Sequence, residues 1–327
     1  VIFLKGAKRM SDEFLGIDVG YGLTKTFNTD NKVVFPTAVV ASSVNPMFSD
    51  SLVIEVDGDP YLVGKEAVHH TGAGEVRTVS FLGSPEWLAV LTAAILRHGF
   101  QSNAFENPSL TIGVPPRSFT PGMANRLKEV IAKSKVHCNQ KRISLNKLKV
   151  DVIPQATAIF FAYLTEHPED IDRNTIVVDL GYLTLDLVAF WEGRYLQESS
   201  ESHTLGISIL LDTISKRFFQ IHNAVLDRFA AYDLLINRQI ELFNQTVTLP
   251  DLDTIVRRYV KQVCQTIEIF MTKFSFPVHR GIIAGGGAGL LTTNGNGLMN
   301  RFMVVTDPIM ANAKGYWRYA GDSHESV

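Results

Sequence analysis

Apolar residues along this chain come first in short runs broken by polar or glycine-rich turns, then in longer stretches with helical spacing, and that order occurs twice. In the first half, alternating patterns predict strands at 14–19, 23–28 and 33–40, with Pro36 marking an edge or a bend in the third. A further strand pair, 52–56 and 61–63, is joined by Asp57-Gly58-Asp59-Pro60. Ser84 as N-cap and Pro85 in the first turn open a helix whose Trp87, Val90, Leu91, Ala94 and Ile95 lie at helical spacing, ending near Gly99. Then come a buried strand at 110–114, a helix from Thr120-Pro121 through Ile131, a strand at 150–153 closed by Pro154, and an apolar helix at 155–164.

The second half repeats the plan. Strands at 175–179 and 183–190 form a hairpin, and Gly193 starts a third. Helices are expected at 207–219, 224–245 and from Leu249-Pro250-Asp251 to Phe274. A strand at 281–284 runs into Gly285-Gly286-Gly287-Ala288-Gly289, and a strand at 302–305 and a helix at 308–319 finish the chain. Strands alternating with helices give an α/β class with sheets covered by helices. Matching opening hairpins predict a duplicated fold, two lobes around a central cleft, and such clefts are common ligand sites. The lobes are expected at 13–168 plus 307–327, with a small outer subdomain at about 36–84, and at 169–306. Residues 1–12, apolar then basic, stand apart as a leader of uncertain structure; Met10 is a candidate alternative start.

Composition narrows the class. The chain has 327 residues, 46% hydrophobic and 20% charged, long enough to bury a large core. A net charge of −2 gives no global attraction to nucleic acid. Cys138 and Cys264 have neither metal-ligand nor disulfide spacing, which suits a reducing cytoplasm. No run approaches the roughly 20 apolar residues of a membrane span.

The chemistry concentrates in two similar turns, Gly16-Ile17-Asp18-Val19-Gly20-Tyr21-Gly22-Leu23-Thr24-Lys25 and Val178-Asp179-Leu180-Gly181-Tyr182-Leu183-Thr184-Leu185-Asp186. A triphosphate with Mg²⁺ needs close backbone N–H groups, hydroxyl or ammonium donors, and carboxylates that hold the cation through waters. Gly20, Gly22, Thr24 and Lys25 supply the first set around Asp18; Gly181 and Thr184 supply the second around Asp179. Each turn alone also reads as a plain β-turn; the pair at equivalent positions is the stronger signal. Lys25 is either a phosphate ligand or a solvated strand residue. Asp186 is expected to alternate away from the cleft and cap a strand. Gly285, Gly286 and Gly287, between a strand and a helix, let a flat ring or a phosphate lie on bare backbone, without the spacing of a Walker loop. Gln155 is either an orienter of water or a polar helix-start residue.

Together these residues resemble the actin/heat-shock-chaperone/sugar-kinase ATPase superfamily, with the motifs in family order over nearly the whole chain. The segments Thr204-Leu205-Gly206-Ile207-Ser208 and Pro308-Ile309-Met310-Ala311-Asn312-Ala313-Lys314-Gly315-Tyr316 look like those of plasmid-segregation actins of the ParM (StbA) type and their archaeal relatives. The resemblance implies an actin-like (ribonuclease H-like) fold and ATP or GTP hydrolysis with Mg²⁺. It also implies head-to-tail filaments and a DNA-binding adaptor partner, with no direct nucleic-acid or membrane contact. Asp18 and Asp179 would organise Mg²⁺ through waters, and Gln155 the hydrolytic water, where several segregation actins carry Glu. Gly20, Gly22, Thr24, Lys25, Gly181, Leu183 and Thr184 would hold the phosphates, with Leu23 and Gly206 also in the nucleotide site. Gly285, Gly286 and Gly287 would lie by base and ribose, with Asp212 near them. The alternative is a small-molecule kinase or phosphatase of the same fold; a chaperone or a membrane-bound cell-shape protein fits less well. Met47, Phe48 and Phe81, in the outer loops, either bind a neighbouring protomer or pack within the small subdomain.

Overall fold

A computed structural model of the chain describes residues 13–29, 31–42, 51–70, 79–100, 108–295 and 297–324. The leader at 1–12 and the loop residues Met47 and Phe48 lie outside the described residues. Two sheets of the same topology form the frame. In the first, Phe14–Val19 pairs antiparallel with Leu23–Asn28, which pairs with Asn31–Pro36; on its other side Phe14–Val19 runs parallel to Ser109–Val114, and that strand to Lys149–Pro154. In the second, Thr175–Leu180 pairs antiparallel with Leu185–Trp191 and then Arg194–Tyr195, and parallel with Arg280–Ala284 and then Phe302–Val304. Glu201–His203 adds to the Leu185–Trp191 edge. In each sheet the strand that carries the Asp-x-Gly turn is central, so its residues are buried on both faces: all six of Thr175–Leu180 and five of six in Phe14–Val19.

Two helices join the sheets. Thr157–Glu166 places Ile159 and Phe160 against Val177, Val188 and Ile282 of the second sheet. The closing helix, Ala311–His324, lies on Phe14–Val19 and Ser109–Val114 of the first sheet and packs against Thr157–Glu166. The chain therefore returns to its first sheet at its end. This packing requires missing side chains. A Cβ on Gly315 would stand 1.7 Å from the Ala158 carbonyl oxygen, and one on Gly113 1.7 Å from the Tyr316 hydroxyl. The obstacle at Gly315 is helix backbone, which cannot swing aside. Gly315→Ala is expected to cost about 3 kcal/mol or more, at the upper end of overpacking effects. A urea titration read by far-UV circular dichroism measures it, and an unchanged midpoint contradicts the packing.

The long helix Pro85–His98 begins as its sequence predicts. Ser84 accepts from the Trp87 amide, Pro85 takes the first turn, and Gly99 ends it in the left-handed region (φ 73°). Ten of its residues are buried, which places it between the first sheet and the outer one.

The outer sheet orders Val39–Ala41, Asp59–Gly64, Ser51–Val56, Val136–Cys138 and Lys141–Ile143. It corrects the expected subdomain in two ways. The strand run at 33–40 is broken after Pro36, so Val39–Ala41 joins a different sheet. A hairpin from 136–143, far along the chain, supplies its other edge. Phe81 is buried in the core of this region. The expected helix over 224–245 is also corrected: Arg228–Asn237 is helical, and Gln239–Leu242 then pairs with Gln245–Thr248 as a hairpin.

Candidate functional site

Asp18 and Asp179 occupy the same place in the two sheets, the penultimate residue of a central strand. Each strand then breaks into its glycine turn, and a cavity of about 290 Å³ opens where the two turns meet. Both carboxylates line it, at 3% and 6% exposure.

Cross-strand register decides what joins them. Asp18 lies opposite Lys25, so both side chains share a face, and Lys25 Nζ donates to Asp18 Oδ2 at 2.8 Å. Gln155 Nε2 donates to the other oxygen at 3.4 Å. Gln155 is not in the helix, which starts at Thr157. It sits in a tight turn whose next residue, Ala156, is in the left-handed region (φ 63°), a conformation costly for a non-glycine residue. The Ala156 amide is held by Asn312 Oδ1 at 3.1 Å, and Asn312 Nδ2 donates to Asp179 Oδ2 at 2.7 Å. One side chain of the closing helix thus ties the Gln155 turn to the second carboxylate.

Asp186 corrects the expectation that it faces away. It pairs directly across from Asp179, and residues opposite each other in an antiparallel ladder project to the same face. It is buried, lines the cavity, and accepts from Thr184 Oγ1 at 2.9 Å and from Ser202 Oγ.

Burial and neighbouring carboxylates disfavour ionisation of Asp179 and Asp186. Burial pushes Asp179 up to about 6, with the Asp18 charge adding to it and the Asn312 hydrogen bond opposing. Burial likewise pushes Asp186 up to about 7, with the Asp179 charge adding and the Ser202 and Thr184 hydroxyls opposing. The folded state therefore binds these two protons more tightly than the unfolded chain, whose carboxyls titrate near 3.8. Their contribution to stability is full below pH about 4 and is lost as pH rises through 6 to 7. Without ligand, the melting temperature is expected to fall between pH 5 and pH 7.5, with Asp186→Asn flattening the slope. A series of thermal melts checks this, and a flat profile in wild type contradicts it.

A hydrated divalent cation fits this donor set, since positive charge between Asp18 and Asp179 relieves a repulsion already visible in the Asp179 carboxyl. Among the described residues, no group of three or more His, Cys, Asp or Glu side chains forms an all-protein metal cage. A cation held here through waters would suit Mg²⁺, which dehydrates reluctantly.

Of the residues expected from sequence, Asp18, Gly20, Gly22, Leu23, Lys25 and Gln155 converge on the cavity from the first half, and Asp179, Gly181, Leu183, Thr184, Gly285 and Gly286 from the second. Four do not line it. Thr24 lies opposite Val19, one step out of phase with Lys25, and its fully buried hydroxyl bonds that of Thr37 at 2.8 Å. Gly206 packs on the second turn, where a Cβ would meet the Tyr182 carbonyl oxygen at 2.4 Å. Gly287 packs on Leu180, 2.4 Å from a Cβ built on it. Asp212 is half-buried on helix Ile207–His222, one residue round from Leu211, which does line the cavity.

Sequence reasoning missed Asn312 and the apolar and aromatic part of the lining. That part comprises Ile207, Leu211, Arg228, Phe229, Tyr232 and Ile309. Asn312 was signalled only as a polar residue in the apolar run Met310-Ala311-Asn312-Ala313; nothing local marks Arg228.

Residues 16–157 match the family described as actin-like proteins, N-terminal domain. No curated protein sequence matches the chain significantly. An archaeal actin homologue, Ta0583, is similar in structure over 96% of this chain and 99% of its own, with 20% identity and a TM-score of 0.79; it has also been solved in complex with ADP. A ParM from Clostridium botulinum, solved as a 15-stranded filament, matches over 94% of this chain and 98% of its own, with 19% identity and a TM-score of 0.77. The actin-like protein Alp7A matches over 96% of both chains, with 16% identity and a TM-score of 0.69. No helix among the described residues is long and apolar enough to cross a membrane. Residues 16–157 thus match an actin-like N-terminal domain, and the whole chain has the fold seen in the ParM filament protein and the archaeal actin homologue.

Proposed function

We propose that this chain binds ATP or GTP with Mg²⁺ between its two glycine turns, hydrolyses it, and couples hydrolysis to head-to-tail assembly into filaments. The observation that carries the reading is the convergence on one cavity of Asp18 and Asp179, from equivalent positions of two sheets with the same topology, joined there by Gln155. Asp18 and Asp179 orient the hydrated cation, which would neutralise phosphate charge when bound. Backbone amides of Gly20, Gly22, Leu23 and Leu183 face the phosphates, with the Thr184 hydroxyl and the Lys25 ammonium beside them, while the Gly181 amide closes its turn on the Thr184 carbonyl at 2.9 Å. Gln155 positions the attacking water through its amide. Gly285 and Gly286 leave bare backbone beside base and ribose. Thr24, Gly206 and Gly287 shape these loops by packing.

The ADP complex of the archaeal homologue and the ParM filament support the nucleotide and the assembly. Head-to-tail contacts are heterologous and do not close, so they give filaments. DNA or plasmid segregation in the cytoplasm, through a DNA-binding adaptor, is the cellular role that fits the ParM-like fold. Light scattering with ATP, GTP and a non-hydrolysable analogue, followed by negative-stain microscopy, tests the reading. Scattering should rise on triphosphate addition and decay as it is consumed. Nucleotide binding without any polymer would favour a kinase or phosphatase.

A further inference from the structure

The cavity lining is of two chemical kinds. One is the carboxylates and glycine turns; the other is apolar and aromatic, from helices Ile207–His222 and Arg228–Asn237. A phosphate tail held by the first leaves the purine to the second. The polar group there that departs from this apolar character is Arg228. Its guanidinium stands 4.8 Å from the Phe229 ring centroid and 5.6 Å from that of Tyr182, which holds it in place by cation–π contact. Among the described residues, no hydrogen bond or ion pair takes up its donors, although the side chain is half-buried at a cavity wall.

A guanidinium offers five N–H donors and no acceptor. The N7 edge of guanine or hypoxanthine presents two acceptors, O6 and N7, which a guanidinium fork matches in two bonds. The same edge of adenine presents one acceptor, N7, and one donor, the N6 amine, which suits a side-chain amide and opposes an arginine. We propose that Arg228 is a specificity residue that reads O6 and N7 of a 6-oxopurine, so that the cleft prefers guanine over adenine nucleotides. The proposal rests on the nucleotide reading given above, which left the base open.

Isothermal titration of the full chain with GTP, ITP and ATP, each with Mg²⁺, separates the two. ITP shares O6 and N7 with GTP but lacks its 2-amino group. GTP and ITP are expected to bind about tenfold more tightly than ATP, in line with a bidentate base contact. Arg228→Gln, which carries an amide, should erase or invert that preference. Arg228→Lys, which keeps the charge but loses the fork, should weaken GTP and ITP while ATP changes least. Thermal melts of both variants check that they fold. Equal binding of the three nucleotides by wild type overturns the assignment, as does an equal loss for all three in Arg228→Gln, which would make Arg228 a phosphate contact. If no triphosphate binds wild type, the cleft reading itself fails and takes this proposal with it.

Discussion

Asp179→Asn should lower triphosphate hydrolysis about 100-fold while making the ligand-free protein more stable. The rate loss follows from the role proposed for Asp179, an outer-sphere holder of the cation; removing such groups costs 10- to 100-fold in activity or metal affinity. The gain in stability follows from its surroundings. The carboxylate is buried and repelled by Asp18. Asparagine keeps an oxygen for the Asn312 amide, which donates at 2.7 Å, and removes the charge. A displacement from 3.8 to about 6 corresponds to on the order of 2–3 kcal/mol at pH 8, where the wild-type group is forced to ionise. Phosphate release under saturating Mg²⁺ measures the first effect and a denaturation midpoint at pH 8 the second. Opposite signs are the signature of a residue kept for chemistry at the expense of stability. Falls in both would instead make Asp179 structural.

Gln155→Ala should slow hydrolysis about 30-fold, within the range that positioning groups contribute, and leave triphosphate binding within about threefold. The amide touches Asp18 at 3.4 Å, a long bond whose loss strands little, because Lys25 still holds the other oxygen at 2.8 Å. If assembly follows binding and disassembly follows hydrolysis, filaments of this variant should form at the wild-type rate and persist many times longer. Time-resolved light scattering after a limiting pulse of triphosphate reads both phases. Equal slowing of assembly and decay would place Gln155 in binding rather than in the hydrolytic step. Gln155→Glu is the informative companion, since it adds a carboxylate beside Asp18 in an already acidic crevice.

Much of this fold was legible because glycine marks its hairpins. Asp57-Gly58 and Glu192-Gly193 both take positive φ, and both turns were read from sequence. The two hairpins that escaped, at 136–143 and 239–248, turn on Asn139-Gln140 and Phe243-Asn244, which take positive φ at both residues with no glycine. Asparagine tolerates that region, but a single Asn among polar residues is a faint signal. In 224–245 the helical spacing of Leu226, Ala230, Leu234 and Leu235 dominates, and the alternation of Ile240 and Leu242 behind it is too short to stand out from the helix.

The candidate site shows the same division. The acidic turns announce themselves through local sequence, so twelve of the expected residues converge on one cavity. What sequence did not reveal depends on pairing register. The register that sets Asp186 across the ladder from Asp179, and so on its face, is not written in either strand alone. In the first hairpin the register places Lys25 opposite Asp18 and Thr24 opposite Val19, so only Lys25 shares a face with Asp18. Asn312 lies 133 residues beyond Asp179, and no pattern in one chain ties the two together before the closing helix is docked.

Calorimetric binding of the triphosphate, with and without Mg²⁺, to wild type, Asp18→Asn, Asp179→Asn and the double variant addresses the shared-cation reading most directly. If both carboxylates hold one hydrated ion, either substitution removes most of the Mg²⁺-dependent part of the affinity, and the second adds little, giving a coupling of about 1–3 kcal/mol. Strictly additive losses, or a Mg²⁺ dependence untouched by both substitutions, would mean that the two aspartates serve separate purposes and that the cleft is not built around a common metal.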